Sequence, residues 1–289
     1  MITNKYQKEM MEDLKTYSNL SRPRKASFFE RHMTRYMSID KLHANPNDLF
    51  TDPTVGPSER IINKYVAEMR EYVSGGTKPD FEPIMVEKMS TGGYMIINGH
   101  HRWMAAKQAG LEIVPVKILN LTSEEDILKT INRLTNEKIV SFDLDEVLFC
   151  KPGDPCGKTL RFPYDRLYPQ PVRANAGPLI ELFQRHGFDV WVYTGSYYSK
   201  EYIEKIMRHH GAKVDGIIND FAHTMKSKSL REIFENKYKI RVHIDKESFL
   251  WIRSGSKDFE SFDLPSDKNW ASQAAACLKK LSESPNAAK

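Results

Sequence analysis

The chain has 289 residues, of which 40% are hydrophobic and 28% charged, and its formal net charge is +5. This composition is typical of a globular protein of about two domains, and it excludes a disordered or fibrous chain. No apolar run approaches the roughly 20 residues of a membrane-spanning helix, and the first residues lack the apolar core of a signal peptide. Three cysteines are too few for a disulfide scaffold and lack zinc spacing. We therefore expect a cytoplasmic protein in reducing conditions, without a membrane partner.

Residues 1–36 are predicted to form a basic helical arm, broken at Ser21-Arg22-Pro23. Within residues 1–35, eight Lys or Arg residues and four acidic residues leave a charge of +4. A local basic excess suits a phosphate-bearing partner, but a solvated helical arm explains the same pattern.

Residues 37–121 are predicted to form an α+β domain. A loop rich in Pro, Asn and Asp at 44–58 leads into a helix that ends at Gly75-Gly76, and short β-like runs follow at 83–86, 94–97 and 114–119. Thr122 and Glu125 have the spacing of a capping box, so we expect them to open a connecting helix over residues 122–137.

The second half, residues 138–289, alternates strands and helices and is predicted to form a doubly wound parallel sheet of the α/β class. In such sheets ligands bind outside the carboxyl ends of the strands. Several polar residues follow predicted strands or begin a predicted helix, namely Asp143, Asp145, Thr194, Lys226, Lys228 and Asp245. Two carboxylates at one strand end repel each other unless a cation relieves them, and Mg²⁺ is a hard cation that carboxylates hold.

These residues resemble the motifs of the haloacid dehalogenase (HAD) superfamily of phosphatases. The resemblance implies that Asp143 is the nucleophile, Asp145 the general acid and base, and Thr194 a ligand of the phosphoryl group. It makes Lys226 the catalytic lysine, with Lys228 as the alternative. It also implies a Mg²⁺ site built from the acidic residues of the edge, which are Asp143, Asp145 and Asp245.

The sequence departs from this family at Lys246, where a second acid often follows the first. Either Asp245 or Glu247 then takes the metal, or the site is weakened. The insert at residues 150–175 is too short for a large cap, which suits a large or polymeric phosphate ester. Three arginines on the insert either contact such a ligand or are ordinary surface charge, namely Arg161, Arg166 and Arg173.

A second phosphate-handling motif lies in the first half, where Gly99, His100, His101 and Arg102 follow a predicted strand and open a helix. Backbone amides at a helix N-terminus favour phosphate, and an arginine adds a charged fork. Alternatively, one histidine merely caps the helix, or the pair ligates a metal.

Residues 36–120 resemble the ParB/sulfiredoxin fold. The Gly-His-His-Arg turn is similar to that of the free-serine kinases of this fold, and His100 replaces the redox cysteine of sulfiredoxins. The resemblance implies that Gly99, His100, His101 and Arg102 bind the phosphates of ATP, ADP or CTP. The glutamate base of those kinases has no clear counterpart among the nearby acids, which are Asp48, Asp52 and Glu59.

Together the two halves indicate a Mg²⁺-dependent phosphatase that acts through an aspartyl-phosphate, fused to a nucleotide-binding domain with a possible kinase activity. Its substrate is expected to be a nucleotide or nucleic-acid phosphate ester. The alternative is a nucleotide- or DNA-binding regulatory protein in which the HAD half is a degenerate scaffold, although no helix-turn-helix is visible after residue 120.

Overall fold

The computed structural model describes residues 5–17, 22–219, 227–246, 248–253, 259–263 and 269–283. The chain divides into two compact units, Met1–Asn120 and Leu121–Lys289. Within the described ranges, no helix is both long enough and apolar enough to cross a lipid bilayer.

The first unit is a small α+β unit. Its described strands are β1 (Arg35–Ser38), β2 (Leu42–His43), β3 (Ile84–Lys88), β4 (Tyr94–Asn98) and β5 (Ile113–Leu119). They form one mixed sheet in the order β1-β5-β3-β4-β2, in which β3 pairs parallel with β5 and antiparallel with β4. Its described α-helices are α1 (Lys5–Tyr17), α2 (Phe28–His32), α3 (Glu59–Gly75) and α4 (His100–Ala109).

The basic segment at the start of the chain contains two described helices, one on each side of the predicted break. Helix α1 buries Met10 in the core of the first unit, and Asp13 contacts Nδ1 of His43 at 2.9 Å. Helix α2 is a separate single turn with a capping box formed by Ser27 and Glu30. The expectation of a freely solvated arm is therefore wrong for α1, because its apolar face packs against the sheet-and-helix core.

The second unit contains a six-stranded sheet among the described residues. Its strands are β6 (Lys138–Asp143), β7 (Phe188–Thr194), β8 (Gly216–Asn219), β9 (Ile240–Ile244), β10 (Ser248–Arg253) and β11 (Phe259–Asp263). Its helices are α5 (Glu124–Arg133), α6 (Tyr164–Leu167), α7 (Ala176–Arg185), α8 (Lys200–His209), α9 (Lys228–Lys237) and α10 (Trp270–Glu283), with a π-helical turn at Leu144–Leu148.

The strand order of this sheet is β11-β10-β9-β6-β7-β8. The four strands β9, β6, β7 and β8 are parallel, whereas β10 and β11 add an antiparallel hairpin that was not predicted from the sequence. Alternate side chains of β7 face opposite cores. Val190 and Val192 pack in one core, and Trp191 packs in the other, with helices on both faces. The alternation of strands and helices therefore produces an α/β sheet covered on both sides.

The helix predicted as a connector belongs to the second unit, since Ile127 and Ile131 are buried in its core. Its capping box lies one residue later than predicted. The Ser123 hydroxyl accepts the N–H of Asp126 at 3.1 Å, and the Asp126 carboxylate accepts the N–H of Ser123. Thr122 precedes the cap, and its hydroxyl donates to Oδ1 of Asn219 at 2.5 Å.

Two of the three cysteines, Cys150 and Cys156, form a disulfide at the start of the insert. The insert folds back on itself here, with an antiparallel bridge between Phe149 and Val172 and another between Cys156 and Arg173. This pairing differs from the reduced state expected from the cysteine count. Sequence spacing did not indicate it, because the bridges that close the loop involve residues about 20 positions downstream.

Candidate active site and phosphate-binding turn

The carboxyl ends of the parallel strands bring the predicted acids to one edge of the second sheet. Asp143 ends β6, Thr194 ends the neighbouring β7, and Asp245 directly follows β9 on the other side of β6. The chain reverses its direction of winding between β6 and β9, which is the switch point at which α/β sheets bind ligands. Asp143 and Asp245 therefore lie on the two strands that flank the switch point.

Asp143 is held by the turn that follows it. Its Oδ1 accepts the N–H of Glu146 at 2.7 Å, as an N-cap of the π-helical turn. Burial raises the pKa of the Asp143 carboxyl, and the negative charges of Asp145 and Asp245 raise it further. The edge thus concentrates negative charge around a half-buried carboxylate.

Asp145 is fixed by Thr194. The Thr194 hydroxyl, which is fully buried, donates to Oδ2 of Asp145 at 2.5 Å and accepts the N–H of Ser196 at 2.9 Å. The structure therefore brings together two of the predicted catalytic residues from neighbouring strands.

Charge and burial at this edge fit a divalent cation. Repulsion from Asp145 and Asp245 contributes to the raised pKa of Asp143, and a cation would relieve it. Within the described residues, however, no three His, Cys, Asp or Glu side chains are grouped closely enough to hold a metal ion. Mg²⁺ needs only one or two carboxylates with carbonyl or water oxygens, and the Asp145 side chain is already engaged by Thr194. The Mg²⁺ ligands Asp143, Asp145 and Asp245 therefore stay a prediction from the sequence.

The structure describes only some of the lysines that the sequence placed at or near the site. Lys226 and Glu247 lie outside the described residues. The alternative, Lys228, begins α9 with its side chain 84% exposed and pairs with Glu232 at 3.8 Å. Lys246 is exposed and, in the part of the chain described, forms no ion pair with the acids of the edge. Its ammonium group therefore does not fill the place of a metal ion.

Sequence reasoning missed a hydrogen-bonded group beside Asp143. His243 of β9 contacts the Tyr193 hydroxyl through Nε2 at 2.7 Å and the Ser141 hydroxyl through Nδ1 at 2.9 Å. Tyr193 is the register partner of Asp143 on the neighbouring strand, and the charge of Asp143 contributes to raising the pKa of the phenol. The only signal in the sequence is that Tyr193 directly precedes Thr194, which does not reveal the partner on β9.

In the first unit, the Gly-His-His-Arg turn connects β4 to α4. Gly99 is the N-cap residue with a φ of 103°, a left-handed conformation that favours glycine. A Cβ at this position would lie 3.1 Å from the Arg102 guanidinium. The turn therefore needs glycine both for its backbone and for the space that Arg102 occupies.

The two histidines hold the loop at 44–58. Nε2 of His100 accepts the N–H of Asn45 at 3.1 Å, and Nε2 of His101 accepts the N–H of Ser58 at the same distance. The Phe50 ring stacks on His100 at 5.3 Å between centroids and meets His101 edge-on at 4.9 Å. Burial lowers the pKa of both imidazoles, which keeps them neutral and able to accept these hydrogen bonds. Their visible role is thus to anchor the loop that covers the turn.

Arg102 is buried and is engaged by protein groups. Its guanidinium pairs with the Glu82 carboxylate, donates to the Glu82 carbonyl at 3.0 Å, and donates to Oδ1 of Asn98 at 2.9 Å. The Glu82 side chain is 68% exposed, so it can leave the pair without breaking other packing. Any phosphate at this turn would have to compete with Glu82, which sequence reasoning did not identify.

The family model that matches this chain includes the Gly-His-His-Arg turn. Residues 26–132 match the family model described as the ParB N-terminal domain. Over 37 residues, 13% of each chain, the protein is 60% identical to a probable chromosome-partitioning protein ParB of Vibrio cholerae. Over 72 residues, 25% of this chain and 28% of the relative, it is 28% identical to an ATP-dependent L-serine kinase of Desulfurococcus mucosus. Residues 26–132 are therefore ParB-like, and the chain is also similar to an ATP-dependent L-serine kinase over 72 residues.

A truncated ParB from Caulobacter crescentus, crystallised with CTP-gamma-S, shares 28% identity over 36% of this chain and 56% of its own, with a TM-score of 0.25. The chain spans between about one eighth and three tenths of the length of the curated relatives named above.

Proposed function

We propose that the second unit is a phosphomonoester hydrolase of the HAD type, with Asp143 as its nucleophile. The observation that carries the proposal is the juxtaposition of Asp143, Asp145, Thr194 and Asp245 at the carboxyl edge of parallel strands. A lone Asp-x-Asp pair is common at strand ends, but a buried hydroxyl bonded to the second acid and a third acid across the switch point are specific features.

In the first step, a carboxylate oxygen of Asp143 attacks phosphorus, and the bond from phosphorus to the ester oxygen breaks. Asp145 gives its proton to the departing oxygen, which leaves as an alcohol. In the second step, Asp145 takes a proton from water, and the hydroxide attacks the aspartyl-phosphate, returning the Asp143 carboxylate and free phosphate. Mg²⁺, when bound, supplies charge neutralisation for the phosphoryl oxygens.

Thr194 serves both steps. Its hydroxyl donates to Asp145, and this hydrogen bond fixes the orientation of the acid in the first step and of the base in the second. The covalent intermediate divides the displacement into two steps, each with a lower barrier.

The test is hydrolysis of p-nitrophenyl phosphate and of 3′-phosphorylated oligonucleotides, nucleotides and phosphorylated amino acids in the presence of Mg²⁺. Asp143→Asn is expected to lower kcat by several orders of magnitude, as removal of a nucleophile does. The matched control is Asp189→Asn, because Asp189 is a buried carboxylate near the amino end of β7. Far-UV circular dichroism checks that both variants fold. Activity of Asp143→Asn within tenfold of the wild type would overturn the assignment.

The first unit supports a second function, binding of a nucleoside phosphate with a possible transfer of its phosphoryl group. The favouring observations are the similarity to an ATP-dependent L-serine kinase and the glycine N-cap at the start of α4. Calorimetric titration of the full chain with ATP, ADP and CTP tests this function. Absence of binding to the wild type at millimolar nucleotide would leave the histidines with their loop-anchoring role alone.

A further inference from the structure

The insert of the second unit exposes aromatic side chains among basic ones. Phe162 is 72% exposed and Tyr164 is 44% exposed. The Arg166 guanidinium lies 5.5 Å from the centroid of the Phe162 ring, and Arg161 is exposed beside it. His209, at the end of α8, packs on Tyr164 with 4.2 Å between ring centroids. We call these five residues the aromatic surface.

A series of aromatic rings connects this surface with the proposed active site. From His209 the series continues to Tyr168 at 5.5 Å, to Tyr202 at 5.2 Å, and to Tyr198 at 5.6 Å between centroids. Tyr198 lies close enough to Asp145 that the carboxylate contributes to raising the pKa of the phenol. The series passes through the interior, since Tyr168 is buried, and it packs the exposed rings and the residues beside Asp145 on one set of aromatic contacts.

The charges around the rings favour one class of partner. Arg161 and Arg166 are exposed and have no ion-pair partner among the residues that the structure describes, and they outnumber the one exposed acid of this stretch, Asp165. An apolar protein surface would leave these cations desolvated without compensation, whereas phosphates of a nucleic-acid backbone would neutralise them. Exposed aromatic rings interleaved with arginines are the stacking platform that proteins use for single strands, because every base has a π-face.

We propose that the aromatic surface binds single-stranded nucleic acid, with bases stacked on Phe162 and Tyr164 and backbone phosphates beside Arg161 and Arg166. The proposal rests on the proposed function in one respect, since it takes the strand end at Asp143 to be the phosphate ester that is hydrolysed. Binding of the strand itself does not depend on hydrolysis. Access for a strand is consistent with the short insert, which carries no large domain over the edge.

The test is fluorescence anisotropy of the full chain with a labelled oligothymidylate of about ten nucleotides, which is within the range of known site sizes and has no terminal phosphate. Phe162→Ala is expected to weaken binding at least fivefold, which corresponds to the loss of about one stacked base. Phe162→Tyr keeps an aromatic ring at this position and is expected to bind with the affinity of the wild type. The matched control is Phe29→Ala, because Phe29 has the same exposed fraction of 72% but lies in the first unit.

A second measurement separates stacking from charge. The double variant Arg161→Gln, Arg166→Gln is expected to reduce the salt dependence of binding, by about 0.7 in the logarithmic slope for each backbone phosphate that is no longer neutralised. Equal loss of affinity for Phe162→Ala and Phe29→Ala would overturn the proposal. So would failure of the wild type to bind at low salt, or binding of duplex DNA as tight as that of the single strand.

The same variants distinguish this proposal from the proposed function. Hydrolysis of p-nitrophenyl phosphate is expected to be unchanged in Phe162→Ala, because that substrate does not reach the aromatic surface. If the wild type binds oligothymidylate but hydrolyses no phosphate ester, the phosphatase assignment is refuted and the binding surface is supported. If it hydrolyses phosphate esters but does not bind oligothymidylate, the phosphatase assignment is supported and the binding surface is refuted.

Discussion

The Tyr193 hydroxyl lies 2.7 Å from Nε2 of His243, across the β6 strand that carries Asp143. Tyr193 is also the register partner of Asp143, whose charge contributes to raising the pKa of the phenol. Nδ1 of His243 lies 2.9 Å from the Ser141 hydroxyl, so side chains from three adjacent strands are linked beside Asp143.

Tyr193→Phe removes this hydroxyl and keeps the ring. We expect kcat for phosphate-ester hydrolysis to fall about tenfold with KM little changed, because losing the hydrogen bond to His243 beside Asp143 costs roughly 0.5–1.5 kcal/mol. Steady-state kinetics with p-nitrophenyl phosphate measures this. The control is Tyr238→Phe, because the buried Tyr238 hydroxyl bonds the Asp189 carboxylate near the opposite end of β7. Similar kinetics for both variants would show that Tyr193 does not position Asp143.

Features that depend on local sequence were predictable, whereas features that depend on the pairing of distant strands were not. The carboxyl edge was predictable, because strand periodicity and strand direction are local properties that place Asp143, Thr194 and Asp245 together. The pairing of Tyr193 with His243 was not, since it depends on which strands flank β6. The antiparallel hairpin β10–β11 was missed for the same reason, as its position is set by pairing with β9.

The same distinction holds in the first unit. The glycine turn and the start of α4 were predicted from the sequence, and the structure has both. The ion pair of Arg102 with Glu82, 20 residues upstream, was not predicted. The histidines hold Asn45 and Ser58, which precede them by 55 and 43 positions. A local motif indicates that phosphate can bind there, but only the fold shows which protein groups already occupy its donors.

Glu82→Gln is expected to strengthen nucleotide binding at the turn by about threefold to tenfold. The substitution removes the carboxylate that competes with phosphate for Arg102, and its cost is small because Glu82 is exposed. Calorimetry with ATP, ADP and CTP measures the change. Glu71→Gln is the control for net charge, since Glu71 is an exposed acid of α3.

Arg102→Ala is expected to weaken nucleotide binding at the turn at least tenfold. Unchanged affinity in both Arg102→Ala and Glu82→Gln would exclude phosphate from this guanidinium.

Gly99→Ala and Gly110→Ala together test the role of glycine at the turn. Both residues have a left-handed φ, 103° and 82°, so each alanine is expected to destabilise the first unit by about 1 kcal/mol. Only Gly99 has the Arg102 guanidinium 3.1 Å from the position of the added Cβ, while nothing lies within 4 Å at Gly110. Gly99→Ala is therefore expected to lose nucleotide binding as well, and Gly110→Ala to keep it. Equal affinities in the two variants would contradict this interpretation of the turn.

The stability of the loop at 44–58 is expected to depend on pH through His100. Burial is the largest cause that lowers the pKa of His100, the neighbouring His101 lowers it further, and Asp48 opposes both. A histidine whose folded pKa is depressed binds fewer protons in the folded state than in the unfolded state. Its contribution is therefore complete above the ordinary histidine pKa of about 6.5 and is lost as the pH falls toward the folded value. Hydrogen exchange of loop peptides, corrected for intrinsic rates and followed in urea between pH 7.5 and 5, is expected to show this loss.

The control variant is His100→Gln, which keeps an acceptor for the Asn45 N–H without a titrating ring. The change of loop protection with pH is expected to be smaller in this variant, and His101 accounts for what remains. The same slope in wild type and variant would assign the pH dependence to another group.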